Sequence, residues 1–81
     1  MFKVGTVTHY YDKIGVAVIT LSGTLSVGEK VKFVCDGEHL FEQVVESIQV
    51  EHNKLGSAKS GDVIGIKTEK EVKEGTDVFK I

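Results

Sequence analysis

The chain reads as an all-β domain of about six strands closed into a barrel, and three observations carry that reading. Apolar residues alternate with other residues instead of recurring every three or four positions, as in Phe2, Val4 and Thr6, then Ile14, Val16 and Val18, then Val31, Phe33 and Cys35. The alternating runs are rich in β-branched and aromatic residues. Glycine-containing segments separate them, and proline is absent from the 81 residues while glycine occurs nine times.

Taken in order, the predicted strands span 2–10, 14–21, 29–35, 40–51, 62–68 and 76–81. Cys35-Asp36-Gly37-Glu38-His39 places Asp-Gly between the third and fourth runs, the strongest hairpin signal in the chain, so those two strands are expected to pair. Within 40–51 the apolar parity switches between Val45 and Ile48, which requires an extra residue near Glu46 or Ser47 and predicts a bulge there. Residues 53–60 read as a crossing loop pinned by Leu55. Closure into a barrel removes the exposed edges that so small a sheet would otherwise present.

Length supports one domain, 1–81, because two separate cores would not fit. With 41% hydrophobic and 27% charged residues the composition is that of a globular protein. Ten lysines, no arginine and twelve acidic residues leave a formal charge of −2, so no broad cationic field attracts polyanions. Without arginine the bidentate reading of guanine is lost, and DNA is not an expected partner. Cys35 is the single cysteine, which excludes an intrachain disulfide. The start has no signal-peptide run and the longest apolar stretch, Val16 to Ile19, crosses no membrane, so the expected location is the cytoplasm.

A Gly-acid-Val pattern recurs in Ser26-Val27-Gly28-Glu29-Lys30-Val31 and Lys59-Ser60-Gly61-Asp62-Val63-Ile64, and in altered form in Lys73-Glu74-Gly75-Thr76-Asp77-Val78. Phosphate loops place their glycines at the start of a helix, with Gly-Lys-Ser or Gly-Lys-Thr at its entrance. Here strand-forming residues follow, and a carboxylate one or two places on would repel phosphate. The corners are read as turns in which glycine supplies positive φ.

These corners sit in a longer series: Val4-Gly5-Thr6-Val7, Leu25 to Val31, Ser47-Ile48-Gln49, Ala58 to Ile66, and Gly75 to Val78. The series resembles the second, β-barrel domain of translational GTPases such as elongation factor Tu and the bacterial initiation factor that delivers initiator tRNA. It covers nearly the whole chain. The resemblance implies a six-stranded closed Greek-key β-barrel and a role in translation, without GTPase activity, since no phosphate loop exists here and Met1 directly precedes the first strand. In elongation factor Tu this barrel helps hold the aminoacylated end of tRNA through an acidic residue and an asparagine. Gln49 and Val63 stand at those positions and remove both contacts, so contact with ribosomal RNA is what the resemblance leaves.

Three groups of residues are candidates for function. His9, Tyr10, Tyr11 and Lys13 place exposed aromatics beside a cation, an arrangement that stacks on bases or anchors a protein partner. His52, Lys54 and Lys59 form a second, basic region. Cys35 and His39, four apart, have the residue types of a nucleophile and its base, although Cys35 shares inward parity with Val31 and Phe33. His9, His39 and His52 lack the close spacing of a structural zinc site. Glu69 to Glu74 reads as a solvated turn.

The expectation is therefore a binding module that is not an enzyme and needs no cofactor or metal. Its expected partners are ribosomal RNA, tRNA or a translation-associated protein, met through the first two groups. The alternative is a protein-interaction or oligomerisation barrel without RNA contact. A small enzyme using Cys35 and His39 ranks last.

Overall fold

The computed structural model describes residues 2–51 and 53–81. It is all-β, with ten strands among these residues: β1 (Phe2–Tyr11), β2 (Val16–Leu21), β3 (Leu25–Ser26), β4 (Lys30–Cys35), β5 (Glu38–Val44), β6 (Ile48–Val50), β7 (Asn53–Leu55), β8 (Ser57–Ala58), β9 (Val63–Lys67) and β10 (Asp77–Lys80). Eight form one antiparallel sheet in the order β5-β4-β10-β1-β2-β9-β6-β7, and β3 pairs with β8 alone.

Period-two alternation builds the core directly. Val31 and Phe33, Ala17 and Ile19, Ile64 and Ile66 point to one side of their strands and are buried, with Val4, Val7, Val45, Ile48 and Val78 completing the cluster. Phe33 and Phe41 stack with ring centroids 4.8 Å apart. The Asp36-Gly37 turn joins β4 to β5 with φ of 52° and 78°, both positive, as a two-residue hairpin of this hand requires.

The expected six-stranded closed ring is not found. No ladder joins the outer strands β5 and β7 among the described residues. The predicted strand 40–51 is interrupted between Val44 and Ile48, and Val45 and Ile48 are both buried, so the parity switch is real and takes the form of a break. Segment 25–29 crosses the gap, pairing with β8 through Leu25 and Ser26 and bonding Val45 through Gly28 and Glu29. In the 53–60 connection Ala58, at 6% exposure, is the core anchor, while Leu55 is 39% exposed.

The three glycine corners share one geometry. The fourth residue of each returns a backbone hydrogen bond to the first: Glu29 N–H donates to Ser26 O at 3.2 Å, Asp62 to Lys59 at 3.0 Å, and Thr76 to Lys73 at 3.1 Å. The third residue is Gly28, Gly61 or Gly75, with φ of 95°, 94° and 88°, the signature of a type II turn. Side chains close the same loop. Glu29 Oε1 accepts from Ser26 N–H at 2.7 Å, Asp62 Oδ2 accepts from Lys59 N–H at 3.0 Å, and Thr76 Oγ1 donates to Lys73 O at 2.6 Å. The residue after each glycine thus belongs to the turn itself.

Each corner also exchanges two backbone bonds with one buried residue. Gly28 N–H donates to Val45 O and Val45 N–H to Glu29 O, both at 2.8 Å; Gly61 and Asp62 treat Leu21 likewise at 2.9 Å, and Gly75 and Thr76 treat Val7 at 2.8 Å. Adding a Cβ at these glycines meets no neighbouring atom, so the cost of substitution is conformational. Gly61→Ala is expected to lose about 1–2 kcal/mol in urea denaturation, the penalty of positive φ for an L-residue. Gly56→Ala, also free of neighbours and without positive φ, should stay within about 0.5 kcal/mol.

Candidate functional site

One end of the sheet gathers His9, Tyr10, Tyr11 and Cys35 with several charged side chains. β1 continues to Tyr11, where Gly15 N–H closes the turn on Tyr11 O at 2.8 Å, and Thr68 N–H donates to Gly15 O at 2.9 Å. From Thr68 the chain crosses this end to Thr76. Gln43 holds its start: the buried amide donates from Nε2 to Lys67 O at 2.8 Å and accepts at Oε1 from Glu69 N–H at 2.9 Å. Val72, 2% exposed, pins its middle to the core.

Two clefts flank this segment. The first, about 240 Å³, lies against the β4–β5 hairpin and is lined by Cys35, Asp36, Glu38, Leu40, Glu71 and Lys73. The second, about 530 Å³, runs between His9–Asp12 on one side and Glu71–Glu74 on the other. In its wall the His9 and Tyr11 rings meet edge to face at 4.4 Å, and His9 Nδ1 lies 3.2 Å from Glu74 Oε2. Tyr11 remains half exposed, whereas Tyr10 packs partly against the core.

The structure keeps the first group of candidate residues together and spreads the second. His9, Tyr10 and Tyr11 line the second cleft, with Lys13 in the adjoining turn. Lys54 is on β7, and Lys59 lies beside β8 lining a small depression with Thr24, Ser57, Ala58 and Asp62. His52 lies outside the described residues. Tyr11 pairs with Val16, opposite Lys67, whereas the Lys59–Asp62 corner bonds Leu21 at the far end of β2. Lys59 therefore lies at the end of the sheet opposite Tyr11, whereas Lys54, paired with Gln49 and through it with Gly65 and Val18, lies in line with His9.

Cys35 and His39 do not meet either. The register shifts between Phe33 and Val34, so that Val34 faces His39 and Cys35 faces Glu38. Cys35 Sγ lies 3.9 Å from Asp36 Oδ2, and His39 Nε2 lies 3.7 Å from Glu42 Oε2. With His9 beside Glu74 and His39 beside Glu42, the described residues contain no group of three metal-ligating side chains.

Glu71 and Glu74 are exposed, as the solvated-turn reading expects, and together with Asp12 they line the clefts. A lone Val72 among charged residues is the available sequence signal that this turn is anchored. Gln43→Leu should cost about 1–3 kcal/mol, because it strands Lys67 O and Glu69 N–H. Amide exchange at Glu69 should accelerate beyond that of the β1–β2 ladder.

No family model matches the chain. It is 32% identical over 77 residues to an uncharacterized protease of Methanocaldococcus jannaschii, a match covering 95% of this chain and 19% of that protein. Two crystal structures of the C-terminal domain of a Geobacillus thermoleovorans protein described as a U32 peptidase superpose with TM-scores of 0.92 and 0.91 at 23% identity. Each covers 99% of this chain; the first, a selenomethionine variant, is itself covered completely and the second over 92%. The fold is that of this peptidase C-terminal domain.

These findings overturn the likeness to the second domain of translational GTPases and, with it, the translation-linked, RNA-contacting function. The physical reason lies in the fragments that carried the likeness. Gly28-Glu29 and Gly61-Asp62 satisfy the backbone of type II corners, a requirement of the sheet that identifies no ligand. No helix among the described residues is long and apolar enough to cross a membrane.

Proposed function

We propose that the chain serves a peptidase as a non-catalytic accessory domain, holding polypeptide for a catalytic unit elsewhere. The observation that carries this reading is the match over 77 residues to a segment making up 19% of an uncharacterized protease. Support comes from the superposition on a peptidase C-terminal domain crystallised as a separate unit, which is what an independently folding accessory part would allow. The separate placement of Cys35 and His39 fits the same role, since a thiol nucleophile needs its base within hydrogen-bond reach.

Fluorescein-labelled casein tests the proposal. The purified chain should release no label, and Cys35→Ser and His39→Ala should behave as the parent does. Removing the matching segment from the archaeal protease should raise KM for casein with kcat little changed, the mark of lost substrate binding, and grafting this chain in its place should restore KM. Cleavage by the isolated chain, or a KM indifferent to the segment, overturns the reading.

A further inference from the structure

We infer that the outer face of β5, β4, β10 and β1 docks against the catalytic unit of a peptidase, on an apolar surface of that unit carrying a carboxylate for Lys32. The identity of the partner rests on the accessory-domain reading; the character of the face stands on its own side chains.

Register fixes which side chains share this face. Val78, Val31, Phe33, Phe41 and Gln43 are buried, so the residues alternating with them point outward. Lys3, Phe79, Lys32 and Glu42 stand in one row across the four strands. Phe79 and Val34 keep part of their surface in solvent. Val44, opposite Lys30, is 48% exposed, and Ile81, whose N–H donates to Lys30 O at 3.0 Å, is 55% exposed.

The charges on the face largely satisfy one another. Lys3 Nζ lies 3.0 Å from Asp77 Oδ1, and Lys30 Nζ lies 3.3 Å from Glu42 Oε1. A lysine held in such a pair lays its stem along the neighbouring apolar groups, so the face offers hydrocarbon more than charge. Lys32 differs: among the described residues no carboxylate lies within bridging distance of it. A partner that covered Lys32 without supplying an acid would leave a buried charge unpaired.

The place of this fold in its relatives selects the occupant. The match covers 19% of the archaeal protease, so most of that protein lies outside it. In the Geobacillus protein the fold is the C-terminal domain, and the remainder therefore joins it at the start of the first strand. The start of β1 borders the face: Phe2 is 75% exposed there, and Lys3 belongs to the row. A unit linked at that point is held at high effective concentration beside the face. A second copy fits less well, because the face carries three lysines against two carboxylates and two such faces repel.

Amine acetylation read by mass spectrometry tests the face, comparing the isolated chain with the archaeal protease that carries this chain in place of its matching segment. Lys30 and Lys32 should react at least about tenfold more slowly in the hybrid, while Lys13 and Lys54 react as in the isolated chain. Val44→Lys should restore the reactivity of Lys32, whereas Val63→Lys, similarly exposed but on β9, should not; both isolated variants should melt near the parent. Hydroxyl-radical footprinting of the intact archaeal protease against its isolated matching segment gives a second measurement without a graft. Side chains of the strands matching β4 and β10 should lose about half or more of their oxidation in the intact protein. Unchanged Lys32 reactivity in a folded hybrid, or unchanged footprints in the intact protein, overturns the inference, as does protection of Lys32 in an isolated chain that sediments as a dimer. A hybrid that restores KM for casein while Lys32 stays reactive keeps the accessory role and removes the face; protected Lys32 with KM unmoved does the reverse.

Discussion

Val7, Leu21 and Val45 each exchange a pair of backbone hydrogen bonds with a glycine corner, and the architecture depends on these three exchanges. All three residues are buried where an ordinary ladder falters: Val7 before a register shift in β1, Leu21 at the end of β2, and Val45 just beyond β5. A buried N–H or C=O left unpaired there would cost about 1–3 kcal/mol, and the corners supply the missing partners. Because the same turn does this three times, one local sequence solution serves three places in an 81-residue sheet.

The corners also determine what the sheet can close upon. With Val45 bonded to Gly28 and Glu29, the strand that would have run from 40 to 51 breaks, and β6 joins β9 rather than extending β5. At the other end, the Gly75 corner bonds Val7 and sets Lys73–Thr76 against β1, which leaves Glu71 and Glu74 facing His9 and Tyr11 across a cleft. The acidic, aromatic end of the molecule is thus a consequence of backbone satisfaction at one corner. Its charge is free to differ from the chain average because none of the lining acids is needed by the core.

Legibility followed the range of the interaction concerned. The alternation of Val31 and Phe33, the Asp36-Gly37 turn and the parity switch before Ile48 are local signals and appear in the fold at their expected places, whereas Cys35, expected to face inward, is only partly buried beyond the register shift at Phe33 and Val34. The likeness to translational GTPases failed because the residues that carried it report turn geometry, which unrelated functions share. Residues 69–74 looked like a plain solvated turn since only Val72 interrupts the charges, and nothing local shows that Gln43, far back in the chain, holds its start.

The sequence alone determined an all-β chain, its inward-facing residues and the positions of its glycine corners, because strand periodicity and positive φ are properties of near neighbours. Tertiary structure alone decided that the ladder does not join β5 to β7, that Cys35 and His39 face different partners, and that five acids share two clefts with one lysine. Those outcomes depend on which distant strands pair and in which register, and a shift of a single residue, as between Phe33 and Val34, is enough to change which side chains meet.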